Sequence, residues 1–157
     1  MIAKPVEILL VEDNPADARL ARESLKETSI VHNLHHVKDG EEALQFLEKT
    51  PPYGTAPTPD LIFLDLNLPR KDGRQILAEI KKRSALRRIP VIVLTTSDAE
   101  QDILQSYDLH ANCYLTKPVE LDKFSEIMSA IEAFWLNFVK LPGFAKGETV
   151  ARRRAGT

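Results

Sequence analysis

Four short apolar runs, each closed by a polar residue, constrain this chain more than any other feature. Ile8-Leu9-Leu10-Val11 ends in Glu12-Asp13, Leu61-Ile62-Phe63-Leu64 in Asp65, Val91-Ile92-Val93-Leu94 in Thr95, and Cys113-Tyr114-Leu115-Thr116 in Lys117. The pattern predicts strands over about 6–11, 31–37, 60–65, 90–95 and 112–116, with helices filling the intervals. Five alternations of strand and helix imply an α/β fold with a parallel sheet and right-handed crossovers. In an open sheet of that kind the carboxyl ends of the strands face one crevice, where ligands bind. Three acids, a hydroxyl and an ammonium are therefore expected to meet there.

The helices have their own signals. Asn14 is suited to cap the first, with Pro15 at its first position and Ala16, Leu20 and Leu25 as apolar positions. Asp39 with Glu42 forms a capping-box pattern for the second, which turns Ala43, Leu44 and Leu47 inward, and Asp72-Gly73 opens the third. Thr50 to Pro59 holds four prolines and no period, so it is read as a surface loop. The last helix carries a stripe of Leu121, Phe124, Ile127, Met128, Ile131, Phe134, Trp135 and Phe138. Its first half is expected to cover the sheet. Its second half, with Phe134, Trp135 and Phe138, extends past what a domain of this size needs, so it either folds back on its own core or meets another chain, of which a homodimer is the favoured reading. The expected organisation is one domain over 1–141 with an extended last helix, and a flexible tail over 142–157 that includes Arg152-Arg153-Arg154.

Composition narrows the function classes. With 43% hydrophobic and 28% charged residues in 157, disorder is not expected, and a net charge of −2 gives no general pull toward nucleic acid or anionic lipid. No stretch reads as a signal peptide or a membrane span, so the cytoplasm is the expected compartment. The one cysteine, Cys113, can form neither an internal disulfide nor a metal cluster and is read as a buried thiol. His32, His35, His36 and His110 are read as surface or edge residues, since no cysteine or acid completes a metal site around them.

If Glu12, Asp13 and Asp65 converge, their charges repel and raise one another's pKa unless a cation intervenes. Magnesium, which takes oxygen ligands, suits a set with no histidine or cysteine. Once neutralised, Asp65 can act as nucleophile toward a phosphoryl group and give an aspartyl phosphate. Lys117 can bind one phosphoryl oxygen as a point charge while the Thr95 hydroxyl donates to another.

At these residues the chain resembles the receiver domain of two-component response regulators. The motifs are Val11-Glu12-Asp13-Asn14, Leu64-Asp65-Leu66-Asn67-Leu68-Pro69 with Asp72-Gly73, Leu94-Thr95-Thr96-Ser97, and Tyr114-Leu115-Thr116-Lys117-Pro118. The likeness covers residues 5 to 139 and includes the spacings of 30 from Asp65 to Thr95 and 52 from Asp65 to Lys117. It implies a flavodoxin-like, doubly wound (βα)5 fold with sheet order 2-1-3-4-5. It also implies that Asp65 accepts the phosphoryl group of a sensor histidine kinase, and that Glu12, Asp13, Asp65 and the backbone carbonyl of Asn67 hold Mg2+. Thr95 and Lys117 then grip the phosphoryl oxygens, Tyr114 is the switch aromatic that responds to Thr95, and Asn67 and Ser97 tune hydrolysis. Thr96 departs from the smaller residue many members carry. Chemistry of this kind is self-catalysed phosphotransfer and slow autodephosphorylation rather than turnover of a substrate.

The ending Phe134-Trp135-Leu136-Asn137-Phe138 and the proline-rich loop are similar to those of the small stand-alone regulators that partner bacterial phytochromes, chiefly in cyanobacteria. That likeness implies a light-sensing kinase. Too few residues follow the last helix for a DNA-binding module, so output is expected through protein contact, or by passing the phosphoryl group onward to a histidine phosphotransfer protein. A haloacid-dehalogenase-type phosphatase would need a second aspartate where Asn67 stands. A flavodoxin would need a phosphate loop where Glu12-Asp13 would repel the phosphate. The remaining rival is a scaffold that keeps the fold and signals by binding alone, without phosphorylation.

Overall fold

Strand and helix alternate along the chain as the apolar runs require. In the computed structural model the described residues are 3–28, 30–68, 73–95, 113–117, 119–137 and 149–150. Their strands are β1 (Ala3–Lys4), β2 (Val6–Val11), β3 (His32–Val37), β4 (Leu61–Asp65), β5 (Val91–Thr95), β6 (Cys113–Thr116) and β7 (Thr149–Val150). Their helices are α1 (Pro15–Lys26), α2 (Gly40–Glu48), α3 (Gly73–Lys82) and α4 (Leu121–Asn137). The five longer strands form one all-parallel sheet in the order β3-β2-β4-β5-β6, which is the expected order 2-1-3-4-5 counted over that sheet. Each of the five lies within one residue of its predicted span. The helix expected between β5 and β6 falls on residues outside the described ones.

Side chains of a strand alternate between the two faces, so each apolar run supplies two cores at once. Leu9, Val11, Ile62, Leu64, Val91 and Val93 pack on the face covered by α2 and α3. Ile8, Leu10, Leu61, Phe63, Ile92 and Leu94 pack on the other, covered by α1 and α4. There Phe124 meets Phe63 edge-on, with ring centroids 5.3 Å apart.

Asn14 caps α1 as expected: its Oδ1 accepts from the backbone N–H of Ala16 at 2.9 Å and of Asp17 at 3.1 Å, with Pro15 beside it. The inward stripe differs from the sequence reading. Ala18, Ala21 and Leu25 are buried, whereas Ala16 and Leu20 are exposed. The small side chains of Ala18 and Ala21 pack with Leu25 in the core on the face of the sheet that α1 covers. Leu121 is likewise exposed at the start of α4, while Phe124 and Met128 are buried. In α2, Asp39 accepts from the Glu42 N–H at 2.9 Å, and Ala43, Phe46 and Leu47 are buried with Leu44 packed partly against them.

The proline-rich loop is tied down at both ends of its course. Tyr53 packs on Phe46, ring centroids 5.5 Å apart. The fully buried Asp60 exchanges bonds with β2, its carboxylate accepting from the Glu7 N–H at 2.9 Å and its own N–H donating to the Glu7 carbonyl at 2.7 Å. Within the segment expected as a tail, Thr149–Val150 pairs in parallel with Ala3–Lys4. Two-residue strands have no period to read, so nothing in the sequence announces this pairing.

Gly73 opens α3 directly behind the end of β4. A Cβ there would lie 2.5 Å from the Asp65 carbonyl oxygen and 2.6 Å from Leu66 Cα, backbone atoms with no freedom to step aside. Gly73→Ala is accordingly expected to destabilise the protein by about 1–3 kcal/mol through overpacking. Urea unfolding measures this, and an unchanged midpoint would mean that α3 can shift without disturbing β4.

Candidate functional site

The strand order puts β4 between β2 and β5, so the polar residue closing β4 lies between those that close its neighbours. Asp65 is 1% exposed, Glu12 1% and Thr95 0%, while Asp13 stands in solvent at the mouth. One carboxylate oxygen from each of Glu12, Asp13 and Asp65 lies within 4.8 Å of the others. Lys117 follows β6 and reaches back into the same space.

Local bonds hold these groups in place. The Asn14 N–H donates to Glu12 Oε2 at 3.2 Å, and the Asn67 N–H donates to Asp65 Oδ1 at 3.0 Å. His36 Nε2 lies 2.7 Å from the Glu12 carbonyl oxygen, so the edge strand braces the acidic turn from the side. The Lys117 N–H donates to the Thr95 carbonyl at 2.7 Å, which fixes the start of the lysine relative to β5. Among the described residues the Lys117 ammonium touches three carboxylates, Glu12 at 2.8 Å, Asp17 at 2.8 Å and Asp65 at 3.3 Å.

Burial pushes the Asp65 carboxyl up to about 7 from its usual 3.8, and the neighbouring Glu12 adds to the rise. The Asn67 N–H and the Lys117 charge work against it without cancelling it. Burial alone would lower the Lys117 pKa, but its hydrogen bonds to Asp17 and Glu12, with the charge of Asp65, hold it above the ordinary lysine value. The site thus holds more negative charge than one ammonium satisfies. An all-oxygen donor set crowded in this way suits a hard divalent cation such as Mg2+ or Mn2+.

Of the residues singled out from sequence, Glu12, Asp13, Asp65 and Lys117 are brought together, and Thr95 closes the neighbouring strand with its carbonyl bonded to the Lys117 N–H. The Thr95 hydroxyl is 3.5 Å from the Leu115 carbonyl. Tyr114 is half-buried against the α2/α3 core, and Asn67 is exposed beside Asp65. Phe134 and Trp135 lie in α4. Thr96, Ser97, His110, Pro118 and Phe138 are outside the described residues. Sequence reasoning missed Asp17 and His36. An acid in the first turn of a helix reads as dipole compensation. A histidine on an edge strand reads as surface.

Comparison with known proteins agrees with this geometry. The family model for the response regulator receiver domain matches residues 8–130. Response regulator Rcp1 of Synechocystis sp. is 53% identical over 138 residues, covering 88% of this chain and 94% of that protein. The crystal structure of the Mn(2+)-bound form of Rcp1 is similar with a TM-score of 0.73 at 53% identity, over 88% of this chain and 99% of that one. The crystal structure of the phosphorylated cyanobacterial phytochrome response regulator RcpA gives 0.74 at 51% identity over the same shares.

Proposed function

The chain belongs to the response regulator receiver family, and from that premise we propose that it accepts a phosphoryl group on Asp65 from a sensor histidine kinase. One observation carries the proposal: three carboxylates within 4.8 Å of one another share the carboxyl edge of the sheet with a lysine ammonium 3.3 Å from Asp65. Glu12, Asp13, Asp65 and the backbone carbonyl of Asn67 would hold Mg2+. The cation, when bound, neutralises the acids and the phosphoryl oxygens.

A carboxylate oxygen of Asp65 then forms a bond to phosphorus as the P–N bond of the kinase phosphohistidine breaks. The imidazole recovers the electron pair. Lys117 and the Thr95 hydroxyl bind the transferred oxygens, so the domain contributes positioning and charge stabilisation, which is most of what phosphoryl transfer requires. Asn67 and Ser97 set access of water to the acyl phosphate, and slow autodephosphorylation returns the free carboxylate. As Thr95 turns to the phosphoryl group, Tyr114 follows it inward and changes the neighbouring surface.

The likeness to the cyanobacterial phytochrome response regulator RcpA supports a phytochrome as the kinase. Output runs through protein contact in the cytoplasm, through a homodimer built on Phe134, Trp135 and Phe138, or onward to a histidine phosphotransfer protein. Among the described residues no helix is long and apolar enough to cross a membrane.

Incubation with acetyl phosphate and Mg2+, followed by intact-mass measurement, is expected to add one phosphoryl group. A folded, magnesium-binding protein that stays unmodified would favour the phosphorylation-independent scaffold instead.

A further inference from the structure

We infer that Asp17 is a positioning residue that draws the Lys117 ammonium away from Glu12 so that a divalent cation can take that carboxylate. The inference rests on the reading of Glu12, Asp13 and Asp65 as the cation site. Two of the three carboxylates that hold Lys117, Glu12 at 2.8 Å and Asp65 at 3.3 Å, are members of that trio. Lysine and cation therefore compete for the same oxygens, and their like charges repel when both are present.

Among the described residues Asp17 is the one carboxylate partner of Lys117 outside the trio, at 2.8 Å. Its position is fixed, because Asn14 accepts a hydrogen bond from its N–H at 3.1 Å and so holds the first turn of α1 against the acidic turn. The side chain lies nearer to solvent than Glu12 or Asp65, 33% exposed against 1% and 2%. It offers the ammonium a place at the rim, still within reach of a phosphoryl group on Asp65. Without it, Lys117 has only Glu12 and Asp65 to pair with among the described residues, and a cation must displace it from both.

The test is Mg2+ affinity by titration calorimetry on the full chain, with circular dichroism to verify folding of every variant. Asp17→Asn is expected to weaken Mg2+ binding about tenfold, and Asp17→Glu to recover most of the loss. In a Lys117→Met background the same Asp17→Asn change is expected to have no effect, since no ammonium remains to be held. A loss that persists in that background would mean that Asp17 acts only through its own charge, and would overturn the assignment. So would unchanged affinity in Asp17→Asn itself. If Lys117→Met does not fold, failure of Asp17→Glu to recover affinity decides against it equally. A wild-type protein that binds no Mg2+ would instead overturn the reading of the site, and this assignment with it.

Discussion

Asp65→Asn is expected to remain unmodified under conditions in which the wild-type chain gains a phosphoryl group from acetyl phosphate, a loss of more than about a thousandfold in rate. An amide oxygen is a poor nucleophile, and among the described residues no neighbouring group stands in for the lost carboxylate at the same place: Glu12 is engaged by the Asn14 N–H and Lys117, and Asp13 opens to solvent. Removing a nucleophile from an otherwise intact site commonly costs three to six orders of magnitude. The side chains are nearly the same size, so the variant should keep its fold. Intact mass over a time course measures this directly. An adduct of equal yield in the variant would move the acceptor to another residue and remove the ground for the proposed function.

The same substitution should have the opposite sign for stability. In metal-free protein the Asp65 carboxyl has a pKa of about 7, against 3.8 ordinarily. The folded state therefore holds this proton more tightly than the unfolded state does. Stability contributed by the protonated acid is present at low pH, falls as pH rises from about 4 to about 7, and is fully lost above that. At ~1.4 kcal/mol per unit the penalty at pH 8 is about 4 kcal/mol, the Lys117 charge being already included in that shift. Asp65→Asn removes the charge, so at pH 8 the metal-free variant should melt roughly 10 °C above the wild type. The gap should close toward pH 5. Saturating Mg2+ should raise the wild-type midpoint and leave the variant nearly unchanged. A difference that is flat from pH 5 to pH 8 would mean that the buried carboxyl is not the source of the penalty.

The sheet was legible because a parallel strand buried on both faces must be written almost wholly in apolar residues, and Leu61-Ile62-Phe63-Leu64 and Val91-Ile92-Val93-Leu94 have little other use. The main acidic, hydroxyl and ammonium groups were legible for the complementary reason that a charge at the end of such a run is costly unless something uses it. Which face of a helix turns inward was harder to read. In α1 both Leu20 and Ala21 are apolar, so the period alone admits either, and packing against the sheet puts Ala21 under and leaves Leu20 out. Asp17 and His36 escaped because each acts through a contact between elements distant in sequence, 100 positions to Lys117 and 24 to Glu12. A single charge or ring in the sequence carries no sign of such a partner.

The order of the strands has one more consequence. Glu12, Asp65, Thr95 and Lys117 sit on or just past four different strands, and their meeting depends on registers such as Val11 opposite Leu64 and Asp65 opposite Leu94. A slip of one residue would turn Asp65 to the opposite face of the sheet. Pairings between segments so far apart in sequence form late in folding, after the local helices. With any one of those strands unpaired the acids, the hydroxyl and the ammonium stay apart, so the site exists only in a chain whose sheet is complete.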